Sequence, residues 1–167
     1  LFVAQPNERR IAQQLFDATA EQKTQPRTHD GEALVRVAYQ CRTDATWGPA
    51  TQSFAGRTLE EAFALENLTW CQDLARKDLQ LRIPKATEKD LPALAERIHK
   101  RVQASSFNKT DFALALLAQD PSTWKVPTYI AEGLVWLEAE IAPLDPKGEE
   151  DHGQAAPVGG ADAGATT

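Results

Sequence analysis

From residue 58 onward the apolar positions recur at intervals of three and four, the period of a helix packed on one face. Thr58 and Glu61 fit the S/T-x-x-E capping box, and Leu59, Phe63, Trp70 and Leu74 follow on one stripe, which predicts a helix through about Arg76. Leu91, Leu94, Ala95, Ile98 and Val102 predict a second helix near Asp90 to Ala104, with Pro92 acceptable in its first turn. A third begins at "NKTDFALALLAQ", where Asn108 and Asp111 form a cap pattern, and stops before the turn "DPSTW". The fourth starts at Pro127, carries Ile130, Leu134, Leu137 and Ile141, and ends at Pro143.

Before residue 58 the pattern differs. Asn7 to Ala20 predicts a helix with Ile11, Leu15 and Ala18 at helical spacing, and "KTQPRTHDGEA" reads as a polar loop. "ALVRVAYQC", residues 33–41, is dense in Val, Leu and Tyr on both faces and predicts the one clear buried strand, bounded by "RTDATWGPA". The expected class is therefore α/β, mostly helical. The expected organisation is one domain over 1–142, with a helical segment at about 85–142, followed by an acidic, Gly- and Ala-rich disordered tail at 143–167.

The formal net charge is −6, and the tail contributes −4 of it through Asp145, Glu149, Glu150, Asp151 and Asp162 against Lys147. The remainder, near −2, argues against nucleic-acid binding through a broad basic surface. A metal-bridged phosphate contact escapes that objection. Cys41 and Cys71 stand in no metal-ligand spacing, and no apolar run approaches a membrane span, so a cytoplasmic protein with no membrane partner is expected. The absence of methionine, even at position 1, points to a piece of a longer protein.

Two stretches offer chemistry. In "GRTLEEAFALEN" the capping box gives Glu61 a structural task at the Thr58 amide. On a wheel of about 100° per residue, Glu60 falls at the edge of the apolar face and Glu61 points toward water. Glu60 shares its strip with Asn67, and Glu66 is a second carboxylate close to the apolar stripe. A carboxylate at a core margin needs a hydrogen bond, an ion pair or a metal. In "SSFNKTDFA", Lys109 stands at a helix start, where the dipole disfavours a cation. It is either a solvated first-turn residue or a cation placed for a phosphate.

Taken in order, "VRVAYQC", "GRTLEEAFALEN", "NKTDFALALLA" and "WKVPTYIAEGLVWL" resemble the C-terminal part of OLD-family (overcoming lysogenization defect) nucleases, which join an ABC-type ATPase to a Toprim catalytic domain. The resemblance spans roughly residues 30–142. It implies a partial Toprim-like domain and metal-dependent endonuclease cleavage of DNA, with Mg²⁺ or Mn²⁺ as two ions around the scissile phosphate. Glu60 falls on the first glutamate of the family's E-E/D pair and is the implied metal ligand, with Glu61 the second choice. Lys109 falls on the family's K-T-D-F-A lysine, implying stabilisation of transition-state charge.

A Toprim site also uses an earlier glutamate and an Asp-x-Asp, and neither stands in this sequence; "CRTDA" offers Asp44 alone. The resemblance therefore places them, and the ATP-binding domain, upstream of residue 1, with this piece inactive alone. It also allows a homodimer through the full-length protein. The competing reading is a helical protein-interaction module without catalysis, with Trp124, Tyr129 and Trp136 as an exposed anchor patch.

Overall fold

The computed structural model describes residues 17–29, 33–84 and 90–141. Residues 7–16 of the expected first helix, and the tail from 143, lie outside the described residues. Where that first helix should close, Thr19 starts a new one-turn helix, α1 (Ala20–Lys23). Its hydroxyl accepts from the Gln22 amide, and the Gln22 side chain returns the bond to the Thr19 N–H.

The expected strand over 33–41 is much shorter. β1 (Arg27–His29) pairs antiparallel with β2 (Ala33–Val35), and Arg36 to Cys41 carry no strand pairing. Just past the end of β2, the Arg36 guanidinium donates to the carbonyls of Thr24 and Glu132 at 2.8 Å each. Tyr39 lies exposed, with the Lys23 ammonium 4.4 Å from its ring.

The segment expected to bound that strand is itself the longest pairing among the described residues. β3 (Arg42–Trp47) and β4 (Ala50–Ala55) form an antiparallel hairpin in register Trp47↔Ala50. Gly48, at φ 56°, supplies the left-handed first position of the two-residue Gly48–Pro49 turn, where hairpin turns favour glycine. Alternate residues of β3 turn inward, and Ala45 reaches the core. The class is mixed α/β, but among the described residues the strands are antiparallel ribbons in two separate sheets.

The long helix expected from Thr58 to Arg76 divides into α2 (Leu59–Glu66), α3 (Leu68–Gln72) and a 3₁₀ turn (Leu74–Leu79). Asn67 leaves helical geometry at ψ 35° and breaks the stripe, and Leu74 beyond it is exposed; Leu59, at the first turn of α2, is exposed as well. α4 (Leu91–Gln103) keeps its whole predicted stripe buried. α5 (Lys109–Leu117) starts on the predicted cap, with Asn108 Oδ1 accepting from the amides of Thr110 and Asp111. α6 (Thr128–Ile141) begins one residue after Pro127, whose carbonyl accepts from Ile130 and Ala131. Leu134 and Leu137 of its expected stripe are exposed, as is Val135. Among the described residues no helix is long and apolar enough to cross a membrane.

Phe63 is the hub of the core. It meets Trp70, Phe112 and Trp124 edge to face at centroid distances of 6.0, 5.7 and 5.5 Å. Gly56 lets the hairpin reach α2: a Cβ there would lie 2.6 Å from the N, Cα and Cβ of Ala62. Gly56→Ala should therefore destabilise the fold by about 1–3 kcal/mol, read as a lower urea midpoint. Cys71 is fully buried, which pushes its thiol up to about 12, whereas Cys41 is half-buried. A thiol reagent at mildly alkaline pH should modify Cys41 in the native protein and Cys71 only after unfolding.

Candidate functional site

Glu60 sits in the first turn of α2 and Lys109 opens α5. The fold brings them together, with Lys109 Nζ 3.3 Å from Glu60 Oε1. The carboxylate side chain is 8% exposed and the lysine 64%, so the pair joins a buried acidic group to a solvent-exposed basic one. This contact answers why a lysine stands at a helix N-terminus: the neighbouring carboxylate offsets the unfavourable dipole. Burial pushes the Glu60 carboxyl up. Hydrogen bonds from its own amide, the Thr58 hydroxyl and Lys109 outweigh burial and leave it below the usual carboxylate range.

Glu61 does not point toward water. It is 2% exposed, and the helix wheel fails because α2 is covered on nearly every side: residues 60 to 65 are all buried. Its capping role is also only half as expected. The Thr58 hydroxyl accepts from the Glu61 amide, but the Glu61 carboxylate accepts from the Arg57 amide at 2.9 Å instead of that of Thr58. The Arg57 guanidinium adds bonds of 2.9 to 3.2 Å, and His99 Nδ1 lies 3.1 Å from Oε2. Burial raises this carboxyl and Arg57 and His99 lower it further, so it too titrates below the ordinary range. Both of its oxygens are engaged.

The other end of α2 is equally occupied. Glu66 accepts from the amide and hydroxyl of Thr128 at 2.8 and 2.6 Å, which caps α6. Asn67 is no open partner for Glu60: its side chain accepts from the Lys125 amide at 2.7 Å and donates to the Lys125 carbonyl at 2.8 Å. Tyr129, which the sequence reading had placed only as an aromatic anchor, lies within electrostatic reach of both Glu60 and Glu66. Burial first and then these two carboxylates push its hydroxyl up. Trp124, Tyr129 and Trp136 are all half-buried, so the expected exposed aromatic patch is absent; what α6 exposes is aliphatic. His99 and Arg57 were not singled out in the sequence. The i, i+4 spacing of Arg57 and Glu61 was the available signal.

Among the described residues no group of three His, Cys, Asp or Glu side chains is placed to hold a metal ion. Hard divalent cations take about six or more oxygen ligands. Glu60, with Lys109 on one oxygen, could furnish one corner of such a site and not the whole. Comparison with family models, curated proteins and solved structures gave no match.

The two depressed carboxyls set the acid response. A group whose folded pKa lies below its unfolded value, near 4.3 for Glu, contributes its full stability above that value and loses it as pH falls through the folded pKa. Glu61→Gln should therefore cost about 2 kcal/mol at pH 7, with the gap from the parent protein closing below about pH 4. Urea unfolding across that range measures it.

Proposed function

We propose that this chain is the C-terminal part of an OLD-family nuclease and that Glu60 and Lys109 belong to its site for DNA phosphodiester cleavage. The observation that supports this reading is the 3.3 Å contact between them. Residue types that the resemblance singled out independently, in separate segments, meet at the N-termini of two helices.

In this reading Glu60 is held ionised and nearly immobile, an oxygen donor of fixed position. Lys109, exposed although paired with Glu60, can turn its ammonium onto a phosphate oxygen and stabilise charge that develops there. A divalent ion, when bound, supplies the activated water and further charge neutralisation. Its remaining ligands, the ATP-binding domain and any homodimer contact belong to the longer protein that the resemblance implies. α/β folds of this kind carry many functions, so the site and not the fold bears the proposal.

A second reading, a helical interaction module, draws on Leu134, Val135 and Leu137 exposed on α6 and Leu114 and Leu117 on α5. The two readings separate in one assay. The full-length protein should nick supercoiled plasmid with Mg²⁺ or Mn²⁺, and Glu60→Ala and Lys109→Ala should each lower the rate roughly a hundredfold or more with unchanged circular dichroism. Cleavage that survives both substitutions would remove these residues from the site, and a full-length protein that never cuts would leave the interaction module as the better reading.

A further inference from the structure

Helix α6 is apolar on more sides than its neighbours cover. From Thr128 to Glu140 none of its residues is buried, and Leu134, Val135 and Leu137 lie exposed. A helix that is apolar nearly all round belongs inside a packed structure, so something else must lie against it. Its ties to the described residues include the Arg36 guanidinium on the Glu132 carbonyl and the Glu66 cap at Thr128.

Beside the Arg36 tie runs a groove of about 420 Å³, lined by Arg36, Ala131, Glu132, Val135, Trp136 and Ala139 and almost wholly apolar. At about 100° per residue its five α6 residues share one face of the helix; Glu138 and Glu140 border that face on either side, and Leu134 and Leu137 stand opposite. Every charged residue of α6 is a glutamate. A second copy laid helix against helix would set these like charges together, which is costly, so the groove suits a basic occupant.

The chain itself supplies one. Arg36 bridges the Thr24 carbonyl, just past α1, to that of Glu132. Cys41 lies within electrostatic reach of both Glu21 of α1 and Glu132. The end of the groove at Glu132 is therefore where α1 stands, and Asp17 lies directly ahead of α1 in the chain. Residues 7–16, which lie outside the described residues, pair Ile11 with Leu15 and Ala12 with Phe16 at the i, i+4 spacing of a one-faced helix. They carry Arg9 and Arg10 against Glu8 alone.

We propose that residues 7–16 lie in this groove as a helix antiparallel to α6, with Leu15 against Val135, Ile11 against Ala139, and Arg9 and Arg10 among Glu138 and Glu140. The lengths agree. Arg10 to Asp17 and Glu132 to Ala139 each rise about 10 Å at 1.5 Å per residue. A segment that leaves Asp17 beside Glu132 thus brings its arginines to the acidic end of α6. The reverse course carries them past Thr128, away from those glutamates. In place, the segment closes over the Arg36 bridge and holds α6 to α1.

Disulfide cross-linking tests this in the chain carrying Cys41→Ser, which leaves the buried Cys71 as the remaining native thiol. Two cysteines bridge only when their Cα atoms come within about 7 Å. Under mild oxidation the pairs Ile11→Cys/Ala139→Cys and Leu15→Cys/Val135→Cys should each close within one chain. They should do so roughly tenfold faster than Ile11→Cys/Leu137→Cys, on the opposite face, or Ile11→Cys/Ala131→Cys, which the reverse course favours. Adding Arg9→Glu to the first pair should slow it about threefold, and Glu138→Arg should restore the rate. Circular dichroism checks that each variant folds. Equal rates in all four pairs, faster closure to residue 131 or 137 than to 139, or an Arg9→Glu rate equal to the parent's would each overturn the proposal. So would disulfides formed only between chains, seen as dimers on a non-reducing gel, because a second copy would then fill the groove.

Discussion

Helix α2 is buried on nearly every side although it carries three carboxylates, and the rest of the structure is arranged around satisfying them. Each polar side chain along it fastens a different element. Glu60 holds Lys109 at the head of α5, Glu61 holds Arg57 and His99 of α4, Glu66 caps α6, and Asn67 pins the connection that leads into α6. Removing a partner would leave a charge or an amide dehydrated inside the fold, which is far more costly than never having placed it there. The apolar side of the same helix supplies Phe63, around which Trp70, Phe112 and Trp124 close edge to face.

The arrangement gives α2 two ends of different character. At its N-terminus a buried, ionised carboxylate is paired with an exposed ammonium; at its C-terminus Glu66 and Asn67 are consumed in holding the chain.

One cap and one helical stripe that depend on local chemistry were fully legible. Asn108 caps α5, and the α4 stripe is buried throughout, because a cap is a contact between near neighbours and a one-sided stripe needs only one packing partner. The β3–β4 hairpin was also written locally, in the Gly48–Pro49 turn and the alternation of Thr43, Ala45 and Trp47, but its moderate hydrophobicity was outweighed by the denser 33–41 run. That run pairs only over Ala33–Val35, and Arg36 within it reaches carbonyls on α6 and beside α1 that no sequence window contains.

The sequence by itself determined where helices start, which face of α4 is apolar, and that Glu60 and Lys109 both sit in first turns with unusual surroundings. Only the tertiary structure decided that these two meet, that Glu61 is buried on Arg57 and His99, and that Trp70 and Trp124 close on Phe63. The physical reason is the same in each case. A helical wheel assumes one wet side, and α2 has almost none, so the direction of each of its side chains was set by partners far away in the chain.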